Sequence, residues 1–421
     1  MVKVGILGLG TVGGSVARIL RDNADIIEAR SGKRIVVKAG VALEQKDFDF
    51  PVTSNVDDVL DDPEIDIIVE VMGGVDFPYQ VAKKALQNGK AVVTANKAML
   101  AYHRYDLQTI AGDIPFMYEA STAGGIPIIG ALRNGLSANH IESVMGIMNG
   151  TCNFILTKMI NEGANYADVL AEAQALGYAE ADPTFDVGGF DASHKLLILA
   201  SIAYGIDAKP EDILIEGIDE ITPTDVAFAK DFEYAIKLLG IAKRVGDGVE
   251  LRVHPTMIPE SSMLAKVDGV MNAVMVRGDA VGETLYYGAG AGGDATASAV
   301  ISDIIDIARG NSNPMLGYKK SLESGLRLLS PDEIASHYYL RVSVKDKKGV
   351  MAQVTNLLSD LDISIEAMMQ KPDSDEDTLV ELLFITHECK EKMIQEAISK
   401  LEKLSVVNGK VGMIRICLLY T

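Results

Sequence analysis

The chain contains no tryptophan and only three cysteines in 421 residues. Cys152, Cys389 and Cys417 are odd in number and far apart, which excludes a disulfide framework and a thiolate metal cage and fits a reducing compartment. Positive charge is scarce, with 39 Lys and Arg against 59 Asp and Glu. The resulting formal charge of −20 repels phosphate backbones and argues against a nucleic-acid partner. No apolar run reaches the roughly 18 residues of a membrane span. Met1-Val2-Lys3 leads straight into a glycine-punctuated strand pattern without a small-residue cleavage site, so the expectation is an unexported, cytoplasmic protein with no membrane partner. The six histidines show no ligand spacing and receive no role. What remains is an ordinary globular composition, 48% apolar and 23% charged, with 39 glycines available for tight turns or phosphate loops.

The first 135 residues alternate short β-branched runs (Val2–Leu7, Ile35–Val41, Ile65–Val71, Ala91–Thr94, Phe116–Tyr118) with helical patterns. That alternation predicts an α/β fold with a Rossmann-type, doubly wound parallel sheet over 1–135, closed by part of 288–310. Residues 136–310 read as an α+β substrate and oligomerisation domain. A strand at Ile141–Met148 precedes amphipathic stretches at Asn153–Asn161, Ala167–Leu176, Asp191–Tyr204 and Thr224–Leu239, then strands at Val249–Ile258, Val274–Arg277 and Glu283–Tyr287 and a helix at Thr296–Arg309. The stretch 311–335 is expected as a linker. Residues 336–421 follow a β-α-β-β-α-β order, with an acidic turn at Asp373–Asp377, which marks a ferredoxin-like module.

Gly8-Leu9-Gly10-Thr11-Val12-Gly13 follows the first strand and opens a helix, the setting in which GxGxxG acquires meaning. Gly8 serves the tight turn, Gly10 the approach of backbone to a pyrophosphate, and Gly13 helix-on-strand packing. The N–H groups at Thr11 and Val12 then face phosphate oxygens. Glu44, after the second strand, suits the two ribose hydroxyls and repels a 2′-phosphate, which favours NAD over NADP; Lys46, two residues on, argues the other way.

The run from Ala173 to Lys195 places Gly177, Tyr178, Glu180, Asp182 and Asp186 on a loop stiffened by Pro183, then Asp191 and Lys195 four apart on one helix face. Spacing alone also allows a solvated acidic loop followed by a surface ion pair. Phe185, Phe190 and the apolar Leu196–Ala200 argue that this run is partly buried.

This run resembles the signature of homoserine dehydrogenases. So do Val92–Lys97, Glu119–Pro127, Gly146–Thr151 and Gly288–Gly292, all in the expected order. The resemblance implies reversible hydride transfer between NAD(P)H and L-aspartate 4-semialdehyde, giving L-homoserine. By that analogy Lys195 is the proton donor and acceptor, and Lys97 lies beside cofactor and substrate. Asp191, Glu180, Asp186 and Tyr178 hold the substrate, while Gly177, Gly290 and Gly292 sit against the cofactor. Main-chain carbonyls of Glu119, Thr122, Gly124 and Ile126 would hold a monovalent cation, Na⁺ or K⁺; a glycine turn without an ion is the alternative. Elementary chemistry agrees with the lysine assignment: charge developing on a carbonyl oxygen suits a nearby ammonium, whose pKa a second cation and burial would lower.

Residues 336–421 resemble an ACT domain, which implies self-pairing, a homodimer or homotetramer, and feedback by a small amino acid, most plausibly L-threonine, at the Asp346–Val350 loop. A purely dimerising module is the alternative. Lysine-based proton transfer does not itself name the substrate, so a related nicotinamide oxidoreductase acting on another amino-acid aldehyde or alcohol, or a cofactor sensor without turnover, competes with this reading.

Overall fold

The computed structural model describes residues 1–44, 46–311, 313–320, 325–370 and 379–417. The expected acidic turn at Asp373–Asp377, and parts of the expected linker and last strand, lie outside the described residues.

Six short, largely apolar segments form the first sheet: β1 (Val2–Leu7), β2 (Ile35–Val41), β3 (Val52–Thr53), β4 (Ile67–Glu70), β5 (Ala91–Thr94) and β6 (Phe116–Met117). They lie in the order β3-β2-β1-β4-β5-β6, all parallel. This is the doubly wound order of dinucleotide-binding sheets, whose ligands sit beyond the carboxyl ends of the strands. Val4, Ile6, Ile67, Val69 and Val93 face one core, with helix Thr11–Asp22 and helix Gly293–Arg309 packed over it. Leu7, Ile68 and Val92 face another, under helices Asp76–Gln87 and Lys97–Ala111. The returning helix Gly293–Arg309 is tied to the first by Asp294, which accepts from Ser15 at 2.8 Å and from Arg18.

The second sheet begins with β7 (Ile141–Ile147) and β8 (Leu214–Ile215), followed by the long strands β9 (Tyr234–Val245) and β10 (Gly248–Pro259). β11 (Met271–Gly278), β12 (Gly282–Ala289) and β13 (Arg327–Leu328) come next, then β14 (Ala335–Lys345), β15 (Ile365–Gln370), β16 (Leu379–Thr386), β17 (Cys389–Lys390) and β18 (Gly412–Ile416). Its main path runs β12-β11-β7-β9-β10-β18-β14-β16-β15. The last four strands in that path, with helices Val350–Asp360 and Glu391–Leu401, make the ferredoxin-like unit. It joins the rest through Thr256 and Met257 of β10, which pair in parallel with Arg415 and Ile416. Helix Phe190–Tyr204 lies between β9 and β10 and the Lys97–Ala111 helix, buried continuously from Asp191 to Ile202.

One element departs from expectation. The amphipathic reading of Thr224–Leu239 breaks in two: a helix spans Pro223–Asp231, Glu233 takes a left-handed φ of 59°, and β9 starts at Tyr234. Within the stretch expected as a linker, Met315 and Leu316 are buried, Tyr118 donates to the Met315 carbonyl at 2.6 Å, and β13 pairs with β10.

Candidate active site

The glycine turn after β1 has the shape its sequence predicts. Gly8 adopts φ +99°, and a Cβ on Gly13 would sit 2.0 Å from the Gly8 carbonyl oxygen, so the turn and helix close only without side chains. Gly10 caps the helix with no side-chain bond, and nothing lies within 4 Å of where its Cβ would be. That open cradle, facing the free N–H groups of a helix N-terminus, fits a dinucleotide's phosphates. Gly292 (φ +117°) and Gly177 (φ +75°) are equally open. Gly290 differs: its Cβ would collide with the Asn272 side chain at 2.0 Å, so packing already demands glycine there. Glu44 is exposed, and Lys46 reaches back over the turn to donate to the Leu9 carbonyl at 2.6 Å.

A cavity of about 640 Å³ runs from Val12, Gly290 and Gly292 to Lys97, Tyr178, Glu180, Asp186, Asp191 and Lys195. Asp191 is 3% exposed and bridges two ammonium groups, Oδ1 to Lys97 at 2.8 Å and Oδ2 to Lys195 at 2.7 Å. The surface ion-pair alternative is therefore excluded. Lys195 also donates to the Met148 carbonyl at 2.6 Å, which leaves one N–H of the three on its ammonium for another acceptor. Burial pulls the Lys195 pKa below its ordinary value; Asp191 opposes this and Lys97 reinforces it. Lys97 is affected by burial too, but Asp191, Asp186 and Glu180 outweigh it and hold its pKa above the ordinary value. Burial would raise the Asp191 carboxyl, yet Lys195 and Lys97 together push it well below the usual range. Asp186 is raised by burial and by Asp191.

Tyr178 and Glu180 stand exposed at the rim, and Asp182 accepts from the N–H and hydroxyl of Thr184 at the start of the short helix Thr184–Val187. The run is partly buried as its apolar residues suggest, with Asp191, Lys195 and Leu196–Ala200 all buried, although Phe185 and Phe190 themselves are 44% and 42% exposed. Stacked on each other at 6.4 Å, they cover this outer loop rather than enter the core. Asn149 is a residue that the sequence reading left without a role. It bonds Asp186, Asp191 and the Cys152 N–H from a buried position. Asn-Gly-Thr before a helical pattern is an N-cap signal that would have marked it.

Beside the cavity, Ala123 and Gly124 both take φ of 55°, turning the chain between Glu119 and Ile126. The Glu119 carboxylate is occupied by the N–H groups of Ile129 and Gly130 at 2.8 and 2.6 Å. The hydroxyls of Ser121 and Thr122 are buried without a hydrogen-bond partner. A turn presenting carbonyls next to orphaned hydroxyls fits a hard cation or ordered water. Among the described residues, no cluster of three or more His, Cys, Asp or Glu side chains is placed to hold a metal, and no helix is long and apolar enough to cross a membrane.

Family models match three parts of the chain: "Homoserine dehydrogenase, NAD binding domain" over residues 8–112, "Homoserine dehydrogenase" over 127–305 and "ACT domain" over 338–406. A homoserine dehydrogenase of Helicobacter pylori is 53% identical over 418 residues, covering 99% of both chains. One of Pseudomonas aeruginosa is 48% identical over 428, covering 99% of this chain and 98% of its own. The crystal structure of a homoserine dehydrogenase from Thiobacillus denitrificans superposes with a TM-score of 0.92 at 46% identity, covering 99% of this chain and 98% of its own. A hyperthermophilic archaeal homoserine dehydrogenase in complex with NADPH gives 0.64 at 29%, covering 74% of this chain and 99% of its own.

Proposed function

Because the chain belongs to the homoserine dehydrogenase family and is therefore an oxidoreductase, we propose that it interconverts L-aspartate 4-semialdehyde and L-homoserine, with Lys195 moving the proton. The observation that carries this reading is the Lys97–Asp191–Lys195 bridge, with Asp191 and Lys195 buried, lining the cavity that reaches Val12 of the glycine turn. The turn at Gly8, Gly10, Thr11, Val12 and Gly13 would hold the dinucleotide, with Gly177, Gly290 and Gly292 flanking it; when bound, its nicotinamide supplies or accepts the hydride. In the reducing direction the Lys195 ammonium stabilises the charge growing on the aldehyde oxygen and then protonates it. In the oxidising direction the neutral amine takes the hydroxyl proton. Burial and Lys97 bring Lys195 toward that exchange by lowering its pKa, while Asp191 keeps the ammonium aimed. Glu180 and Asp186, and Asp191 where it is not engaged by the lysines, suit the substrate's ammonium group, and Tyr178 lines the entrance.

The same reading assigns residues 1–135, with part of 288–310, to cofactor binding, 136–310 to substrate and self-association, and 336–421 to amino-acid feedback, with L-threonine as the expected effector. It places a Na⁺ or K⁺ ion on the carbonyls of Glu119, Thr122, Gly124 and Ile126. It also sets the enzyme in the cytoplasm, as a homodimer or homotetramer, in the biosynthesis of threonine, methionine and isoleucine. The test is absorbance of reduced nicotinamide when protein, L-homoserine and NAD or NADP are mixed in alkaline buffer containing Na⁺ or K⁺. Turnover is expected, and Lys195→Ala should lower kcat by about 10²–10⁴-fold with cofactor affinity preserved. A Lys195→Ala enzyme of normal rate would remove the lysine from the mechanism.

A further inference from the structure

Asn149 reaches two acids of the cavity at once, the buried Asp191 and the half-buried Asp186. One hydrogen of its amide goes to Asp186 Oδ1 at 2.8 Å and the other to Asp191 Oδ2 at 2.9 Å. Its carbonyl oxygen accepts from the Cys152 N–H at 2.8 Å as the N-cap of helix Gly150–Glu162. That cap fixes the amide's orientation: with Oδ1 committed to the helix, Nδ2 faces the acids. The preceding residue supplies the carbonyl that holds Lys195, so Met148 and Asn149 together frame the lysine and its partner.

We propose that Asn149 is a positioning residue that keeps Asp186 and Asp191 ionised side by side and thereby sets how tightly Asp191 grips Lys195. The proposal rests on the reading of Lys195 as the proton-transfer group. Two adjacent carboxylates, one buried and one half-buried, repel, and the usual outcome is that one takes up a proton. A primary amide answers this without adding charge, because its two diverging donors serve one acid each, whereas a hydroxyl offers a single donor. Asp191 Oδ2 is thus shared between the amide and Lys195 instead of belonging to the lysine alone. The other titratable groups around the lysine are Lys97 from its own helix, Asp186 and Glu180 from the preceding loop, Cys152 from the capped helix, and His194 beside it. With the carboxylates ionised, the two acids and two lysines in contact balance, and one more negative charge would tip them toward holding the proton on Lys195.

Asn149→Asp and Asn149→Ser both retain an oxygen able to cap the helix, so the fold-supporting part of the residue survives in each. The experiment is the pH dependence of kcat/KM for homoserine oxidation, which rises as Lys195 loses its proton. Asn149→Asp should move the rising limb about one unit toward alkali, a loss of about tenfold at neutral pH that is recovered at high pH. Asn149→Ser, whose single donor leaves one acid to take up a proton and so removes negative charge beside Lys195, should move it toward acid. Rates reduced equally at every pH, or a limb that stays in place, would overturn the role. Lys195→Ala run in parallel separates the two ideas: if it keeps the wild-type limb, the lysine assignment itself fails. If it abolishes turnover while the Asn149 variants titrate like the wild type, only the positioning role fails.

Discussion

Two side chains beyond β2, Glu44 and Lys46, carry opposite charges. Lys46 is anchored over the glycine turn through the Leu9 carbonyl, while Glu44 stands exposed two residues earlier. A carboxylate there favours free ribose hydroxyls and an ammonium favours a 2′-phosphate. Glu44→Gln should shift the NAD to NADP ratio of kcat/KM about tenfold toward NADP, and Lys46→Ala about tenfold toward NAD, each equivalent to about 1.4 kcal/mol. Parallel assays with the two cofactors measure this, and an unmoved ratio in both variants would mean that neither residue reads the ribose. The meeting of Lys97, Asp191 and Lys195 in one cavity was legible because each belongs to a motif whose chemistry is local. Asn149 and the Met148 carbonyl were not. Their contacts to residues 37 to 47 positions away arise only when β7 and helix Phe190–Tyr204 are brought together.

The first helix shows how sharply position decides what a glycine is for. Gly13 and Gly14 are neighbours, yet a Cβ on Gly13 would meet the Gly8 carbonyl at 2.0 Å whereas on Gly14 it would meet nothing within 4 Å. Gly13→Ala should abolish measurable cofactor binding in a calorimetric titration, because the turn must open to admit the methyl. Gly14→Ala should bind normally and melt slightly higher, by roughly 0.5–1 kcal/mol from helix propensity. Equal behaviour of the two would contradict the packing described. Most elements could be read from apolar periodicity, and β9 shows where that signal fails. From Ala235 to Ala242 the strand is buried on both faces between β7 and β10, so its apolar residues do not alternate and continue the preceding helical pattern. The break falls at Glu233, a left-handed residue that no glycine or proline announces.

At the scale of the whole molecule, the ferredoxin-like unit is held to the rest by charge as well as by sheet. Arg415 is 1% exposed and pairs with Glu216 at 2.6 and 2.7 Å and with Glu391 at 2.8 and 2.5 Å. Truncating it to Met would leave two carboxylates without their cation and should cost about 3–5 kcal/mol in denaturant unfolding. Burial would raise the Glu391 carboxyl, but Arg415 outweighs it and holds it below its ordinary 4.5. A carboxyl depressed in the folded state stabilises above its unfolded value, so this contribution is intact above about pH 4.5 and fades as the pH falls through the folded value. Acid should therefore loosen this junction, and Arg415→Met should flatten that part of the stability profile. A variant as stable and as acid-sensitive as the wild type would show that the network is incidental.

The far edge of β10 carries a last consequence. β9 covers its near edge along its full length, but the far edge is covered in patches: β13 at Gly248 and Val249, β8 at Arg252 and Val253, β18 at Thr256 and Met257. Two of those three patches come from beyond residue 326. A shortened protein ending before that point would keep the whole cavity lining yet expose a long strand with unpaired backbone at both ends of its rim. Such an edge seeks any strand that will bond to it, including the same edge on another molecule. The last quarter or so of the chain therefore also acts as a guard against aggregation.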